Sequence, residues 1–119
     1  MDAELDPEDA KIITLARSAR ARAGADSGAA VRDETGRTYA AVDVRLDSIA
    51  VAALQLAVLM AASSGAAKLE AAAVVTGDEE LMDGELDAAW DLRAAHVLLA
   101  GADGSLIKTY LNPGQDPSA

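Results

Sequence analysis

The sequence predicts an α/β protein in which one five-stranded mixed sheet lies between two layers of helices. Apolar spacing and turn residues divide the chain of 119 residues into elements in the order α-β-β-α-β-α-β-β. Helices that alternate with strands have to cover both faces of a single sheet. The third and fourth strands flank a helix, and this crossover makes them parallel, so the sheet is mixed.

The composition fits one globular domain over residues 1–119, with an ordered core from about residue 7 to residue 112. Hydrophobic residues make up 51% of the chain and charged residues 25%, which argues against disorder over most of its length. Alanine dominates the apolar residues, whereas Phe is absent and Trp occurs once. Such a thin core leaves a narrow stability margin, which an oligomer would widen by burying more surface.

Residues 7–23 carry the start and stop signals of an amphipathic helix. Asp6 can cap this helix, Pro7 suits its first position, and Gly24 provides the C-terminal stop. Three arginines lie near its C-terminal end: Arg17, Arg20 and Arg22. They could form an anion site, but their favourable interaction with the negative end of the helix dipole is the better explanation.

A second helix is predicted from about residue 49 to residue 63. Asp47 and Ser48 can cap it, and Gly65 closes it. Because the helix is apolar all round, we expect it to be central and covered on most sides. The stretch between Asp47 and Lys68 carries no charge and is long enough to cross a bilayer, but its serines and alanines favour a buried helix.

The other elements follow from alternating apolar residues between turns. The predicted strands are residues 28–31, 37–44, 68–76, 96–100 and 106–110, with turns at 33–36 and 102–105. An acidic loop at 78–84 precedes a short helix at about 85–92, and residues 112–118 form a loose polar tail.

Several residues add a family resemblance to this element order. The first helix precedes a strand that begins Gly28-Ala29-Ala30, a turn ends in Thr35-Gly36, and the second helix finishes near Gly65. In these features the chain resembles the cytidine deaminase family from about residue 12 to residue 112. The resemblance implies a three-layer α/β/α fold and a homodimer or homotetramer, with the alanine-rich second helix as the assembly surface.

The chemical motifs of that family are missing from this chain. The family's reaction uses a zinc ion, held by three Cys or His ligands, and a Glu that moves protons. The resemblance places the first ligand and the Glu at Ala52 and Leu54, and the other two ligands at Asp83 and Leu86. Asp83 could ligate a hard cation, but a methyl or isobutyl group cannot bind zinc or carry a proton. We therefore expect no catalytic residues, no metal and no cofactor.

The same resemblance places the ribose-contacting residues at Asp43 and Arg45. These two side chains could grip a polar ligand, although a solvated strand end is the more ordinary interpretation. Apolar residues would fill the space of the lost metal site, namely Leu54, Leu56, Ala57 and Met60.

Composition excludes further classes of function. Without Cys the chain has no disulfide, thiolate zinc site, iron–sulfur cluster or cysteine nucleophile, and His96 is its single His. A net charge of −10 without a basic patch argues against nucleic acid. The acidic N-terminus lacks a signal pattern, so a cytoplasmic location is expected.

Three other groups of residues have ordinary structural explanations. The acidic run Asp78, Glu79, Glu80, Asp83, Glu85 and Asp87 could bind Ca²⁺ or Mg²⁺, but acidic residues also suit the start of a helix. His96 with Ser105 and Asp103 could suggest a catalytic triad, yet no nucleophile elbow accompanies them. Residues 101–104 form a turn and not a phosphate loop.

The sequence therefore predicts a non-catalytic cytidine deaminase-like protein that acts by ligand binding or assembly. Its expected partners are further copies of itself, a nucleoside-like small molecule or another protein, and neither nucleic acid nor a membrane. One alternative is a cytidine deaminase or related nucleoside hydrolase whose metal or acid comes from a partner chain. Another is a regulatory subunit that docks on a second protein.

Overall fold

The computed structural model describes residues 5–115, apart from the side chain of Gln115. The three helices and seven strands there are α1 (Pro7–Ala23), β1 (Ser27–Asp33), β2 (Thr38–Val42), β3 (Val44–Arg45), β4 (Ala50–Val51), α2 (Ala53–Ser63), β5 (Leu69–Thr76), α3 (Asp83–Asp91), β6 (His96–Ala100) and β7 (Leu106–Leu111). A short 3-10 helix at Pro113–Gln115 follows. This 3-10 helix takes the place of the first part of the predicted loose tail at 112–118, and residues 116–118 of that tail lie outside the described residues.

Five strands form one sheet in the order β2-β1-β5-β6-β7. β5 and β6 are parallel, since α3 connects them, and the other three neighbouring pairs are antiparallel. The predicted α/β class and mixed five-stranded sheet are confirmed.

α1 covers one face of the sheet. Asp6 accepts a hydrogen bond from the Glu8 amide at 2.8 Å, and Gly24 ends the helix with a φ of 63°, as predicted. The helix crosses β1 at Gly28, where an added Cβ would overlap the Ala16 carbonyl oxygen and lie 2.9 Å from the Arg20 amide nitrogen. Glycine therefore sets how close α1 lies to the sheet.

α2 and α3 cover the opposite face, and the apolar residues divide into two clusters accordingly. The cluster under α1 includes Ile12 and Val75, and the larger cluster under α2 and α3 includes Leu54 and Leu99. Alternate residues of each strand supply the two clusters, because successive side chains point to opposite faces.

The start of α2 differs from the prediction. The helix begins at Ala53, and residues 44–51 form a small separate hairpin of β3 and β4. Asp47 and Ser48 occupy its turn, which the Leu46 amide closes by donating to the Ile49 carbonyl oxygen at 2.7 Å. The mistake has a physical reason, since Asp and Ser stabilise turns by the same side-chain hydrogen bonds with which they cap helices.

α2 is also less covered than predicted. Leu54, Ala57 and Ala61 are fully buried, but Leu59 is 56% exposed and Met60 is 38% exposed. An apolar, uncharged helix thus presents one face to solvent. Within residues 5–115, no helix combines the length and hydropathy that a membrane span requires.

Candidate functional site

A cavity of about 320 Å³ lies where α2 and α3 begin. The strand end after β2, the β3–β4 hairpin and the loop before α3 contribute its other walls. Its lining residues are Asp26, Ser27, Asp43, Val44, Arg45, Ala50, Val51, Ala52, Asp78, Met82 and Glu85. Four carboxylates and one guanidinium make the lining predominantly acidic.

Both helices begin without a capping side chain. Ala52 and Met82 occupy the two N-cap positions. In each helix a side chain three residues later reaches back instead: the Ala52 amide donates to Gln55 Oε1 at 2.9 Å, and the Met82 amide donates to Glu85 Oε2 at 3.0 Å. The Gln55 amide group also contacts the Gly84 carbonyl oxygen at 3.5 Å, which links the two first turns.

The four predicted lost-site positions all lie in these two first turns. Ala52 is half-buried at the N-cap of α2, and Leu54, two residues further on, is 0% exposed. Asp83 is exposed at the start of α3, whereas Leu86 is buried in the same apolar cluster as Leu54. The fold thus brings together positions that lie about 30 residues apart in the sequence.

The side chains at these positions do not fit a zinc ion. Ala52, Leu54 and Leu86 offer no donor atom, and Asp83 offers one exposed carboxylate. Among residues 5–115, no group of three or more His, Cys, Asp or Glu side chains is arranged to hold a metal ion. No reaction step through zinc can be derived from this donor set.

Asp43 and Arg45 both line the cavity. Asp43 follows β2 and accepts a hydrogen bond from the Ser27 amide at 2.8 Å, which holds its carboxylate at the cavity wall. Ser27 in turn contacts Thr76 at the end of β5, with 3.0 Å between the two hydroxyl oxygens. Arg45 is exposed on β3. A ligand in the cavity would meet both an acceptor and a donor here.

The residues predicted to fill the metal site differ in their burial. Leu54 and Ala57 are fully buried, and Leu56 is half-buried. Met60 is exposed, so the prediction that it fills the core is wrong. Met60 lies two turns beyond the start of α2 and contributes to the outer face of the helix.

The hypothetical triad does not assemble, because His96 contacts neither Asp103 nor Ser105. Asp103 accepts hydrogen bonds from the Ser105 amide and hydroxyl, both at 2.9 Å, and so stabilises the β6–β7 turn. His96 lies instead with Nε2 2.8 Å from Asp9 Oδ2 on α1. A structural role for His96, the interpretation favoured by the sequence, fits this geometry.

Asp9 belongs to a charged cluster that sequence reasoning missed. Arg32 donates to Asp9 Oδ1 at 3.0 Å and to Glu70 Oε1 at 2.8 Å, so the cluster joins α1, β1, β5 and β6. Burial alone would lower the pKa of Arg32, but the hydrogen bonds to Glu70 and Asp9 outweigh it and raise that pKa. No local sequence signal connects residues so far apart in the chain.

Asp33 organises the β1–β2 turn and was also missed as a centre of hydrogen bonds. Its carboxylate is buried and accepts from the Thr35 hydroxyl at 2.7 Å, the Arg37 amide at 3.0 Å and the Tyr39 hydroxyl at 3.1 Å. Burial alone would raise the pKa of Asp33, but these hydrogen bonds outweigh it and lower the pKa.

Comparisons with known proteins agree with this architecture. A cytidine deaminase from Burkholderia pseudomallei matches with a TM-score of 0.75 and 19% identity over 92% of this chain and 96% of its own. A cytidine deaminase from Mycobacterium tuberculosis matches with a TM-score of 0.70 and 19% identity, covering 96% of this chain and 98% of its own. The cytidine deaminase from Bacillus anthracis matches with a TM-score of 0.65 and 14% identity, covering 96% of this chain and 89% of its own.

At these identities the solved structures show a shared fold. Among curated protein sequences, no match to this chain is found. A family description, Cytidine deaminase-like, matches residues 5–104, which is most of the chain. The protein belongs to the cytidine deaminase-like family.

Proposed function

We propose that this protein is a non-catalytic member of its family that acts through ligand binding or assembly. The observation that carries the proposal is the full burial of Leu54 in the first turn of α2. The resemblance assigns this position to the proton-carrying Glu. An isobutyl group packed in the core can neither accept nor donate a proton, which supports a structural role for this position.

The surrounding positions support the same conclusion. Leu86 packs in the apolar cluster with Leu54, and Ala52 carries only a methyl group. Active sites commonly hold polar groups in arrangements that reduce stability, so apolar replacement favours the folded state. Apolar side chains at these positions would therefore add packing to a thin, alanine-rich core.

The remaining cavity suits a small ligand. Its volume of about 320 Å³ lies at the lower end of the range for ligand pockets, roughly 300–1,000 Å³. Asp43 and Arg45 provide an acceptor and a donor at the positions that the resemblance assigns to ribose contacts. A nucleoside-like compound is therefore the ligand that we propose for this cavity.

The catalytic question is tested with purified protein, cytidine and deoxycytidine, and a measurement of bound metal. We expect no deamination and no stoichiometric zinc. Turnover with one zinc per chain would overturn the proposal. It would favour the alternative, a cytidine deaminase or related nucleoside hydrolase whose missing metal ligands or acid come from a partner chain.

Ligand binding is tested by calorimetric titration of the same nucleosides into the wild-type protein and two variants. Arg45→Ala removes the donor at the cavity, whereas Arg22→Ala removes an exposed arginine at the end of α1. We expect the first variant alone to weaken binding. Equal affinities for all three proteins, or no heat with any nucleoside, would remove nucleosides as the ligand class.

Assembly is the second part of the proposal. The exposed side of α2 is apolar at Leu59 and Met60, and Tyr39 of β2 lies beside it. A homodimer or homotetramer would cover this surface. Light scattering should show that Leu59→Lys lowers the oligomeric state, and a wild-type monomer at all concentrations would contradict assembly through α2.

The proposal also includes a single domain over residues 1–119 in the cytoplasm.

The rival role of a regulatory subunit predicts docking on a second protein through the acidic run at 78–87. Pull-down with wild-type protein and with a variant in which that run is neutralised distinguishes the two. Equal capture by both proteins would exclude electrostatic docking through the run.

A further inference from the structure

The candidate cavity lies where carboxylates from four separate segments meet. They belong to the α1–β1 loop, the end of β2, the loop after β5 and the first turn of α3: Asp26, Asp43, Asp78 and Glu85. Ser27, at the start of β1, pairs with Thr76 at the end of β5. Gly28 pairs with Val42 at the end of β2. The first three carboxylates therefore lie at one end of the sheet, although they are far apart in the sequence.

Two of these carboxylates are half-buried and held in place by backbone amides. Asp43 Oδ1 accepts from the Ser27 amide at 2.8 Å, and Glu85 Oε2 accepts from the Met82 amide at 3.0 Å. The second oxygen of each carboxylate has the capacity to accept a hydrogen bond from a ligand. Because salt screens a half-buried charge less than an exposed one, these two groups contribute most to the attraction for a bound cation.

Positive charge near the cavity offsets this acidic lining only in part. Arg45 is the basic residue of the lining, and it is exposed. In the part of the chain that the structure describes, Arg45 forms no ion pair with any of the four carboxylates. The N-termini of α2 and α3 each supply about half a positive charge. One guanidinium and two helix ends, set against four carboxylates, leave an excess of about two negative charges at the cavity.

The carboxylates are distributed around the cavity and do not converge on one point. Among the described residues, no three His, Cys, Asp or Glu side chains are placed to hold a metal ion together. A metal ion requires several oxygen donors at about 2.0–2.6 Å, whereas a volume of about 320 Å³ is that of a site for a small organic ligand. Separated carboxylates around such a volume suit an organic cation whose charge is delocalised over several atoms.

We propose that the ligand of this cavity is a nucleoside whose base carries a positive charge. The proposal rests on the proposed function, in which a nucleoside-like compound occupies the cavity, and it adds the charge of that compound. Asp43 and Arg45 line the part of the cavity after β2 and on β3, where they provide an acceptor and a donor for the sugar hydroxyls. Asp78 and Glu85 line the part formed by α3 and the loop before it, where the charged base binds.

Calorimetric titration with a matched pair of nucleosides tests the charge directly. Nicotinamide riboside carries a positive charge on its pyridinium base, and its reduced dihydro form has nearly the same shape but is neutral. We expect the cationic form to bind about tenfold tighter than the reduced form and cytidine at low salt, which corresponds to about 1.4 kcal/mol. Added salt should reduce this preference, because it screens the attraction between charges.

Variants that each remove one negative charge locate the effect. Glu85→Gln removes a charge from the cavity, and glutamine also suits the third position of a helix, where its side chain accepts from the N-cap amide. Asp87→Asn is the matched control, since Asp87 is exposed on the same helix and lies outside the cavity lining. We expect Glu85→Gln to reduce the preference for the cationic form several-fold, and Asp87→Asn to leave it within about twofold of wild type. If Glu85→Gln lacks a cooperative melting transition, Asp78→Asn in the exposed loop before α3 replaces it.

The possible outcomes separate the charge of the ligand from the proposed function. Equal affinities for the cationic and reduced forms, or equal effects of the cavity and control variants, would overturn the charge preference while nucleoside binding stands. No heat with any nucleoside, cytidine included, would remove nucleosides as the ligand class and the charge preference with them. Tetramethylammonium bound as tightly as nicotinamide riboside would show that the sugar is not recognised, and it would overturn a nucleoside as the cationic ligand.

Discussion

Replacing Leu54 tests whether the position assigned to the catalytic Glu is now part of the core. Leu54 is 0% exposed and packs in the apolar cluster beneath α2 and α3. Leu54→Ala removes three carbon atoms and leaves a cavity, because a packed core relaxes only partly. We expect a loss of about 3 kcal/mol in the free energy of unfolding, since leucine-to-alanine changes at fully buried sites cost roughly 2–5 kcal/mol.

Urea denaturation followed by Trp90 fluorescence and circular dichroism measures this loss. Leu59→Ala is the matched control, because Leu59 lies on the same helix and is 56% exposed. Its cost should stay below about 1 kcal/mol, as for most surface substitutions. Leu54→Met, which nearly conserves volume, should cost less than about 1.5 kcal/mol.

The melting temperature provides an independent readout. A loss of 3 kcal/mol should lower it by roughly 10–15 °C in a domain of this size. If Leu54→Ala costs no more than Leu59→Ala, Leu54 lines an open site instead of filling the core. The structural argument for the proposed absence of catalysis would then be wrong.

Three further changes test other parts of the structure by thermal and urea denaturation. Gly28→Ala should cost about 3 kcal/mol, because its Cβ would force α1 away from β1, whereas Gly77→Ala meets no atom within 4 Å and should be nearly neutral. Because the pKa of Asp33 is lowered in the fold, its carboxylate stabilises the wild-type protein at neutral pH, and this stabilisation is lost as the pH falls below about 4. Asp33→Asn should lack this stabilisation, so its stability should depend less on acid pH. Equal acid sensitivity of both proteins would contradict this. Asp9→Ala should cost about 2 kcal/mol, because the buried Arg32 guanidinium loses one charged hydrogen bond but keeps the one to Glu70, and a loss below about 1 kcal/mol would contradict that role.

Local signals in the sequence were sufficient for α1. Asp6, Pro7 and Gly24 act within one turn of the helix ends, so their effect does not depend on distant residues. The hairpin that precedes α2 was not predictable in the same way. Asp47 and Ser48 are compatible with a cap and with a turn, and the pairing of Val44 with Val51 decides between them.

The candidate site was likewise predictable only in part from the sequence. The sequence alone indicates that Ala52 and Leu54 cannot perform the family's chemistry, because a side chain's donor atoms are a property of its residue type. The cavity that Asp43 and Arg45 line was not predictable, since it depends on how the hairpin, the strand ends and two helix starts meet.

The sequence by itself determined the order of most elements, the absence of thiolate ligands and the resemblance to a deaminase, because these depend on residue identity and short-range spacing. Only the tertiary structure decided that His96 meets Asp9, that one side of α2 remains exposed and that β7 is the outer strand of the sheet among residues 5–115. These features arise when segments far apart in the chain pack together. Their energies depend on packing and burial, which no local pattern of residues encodes.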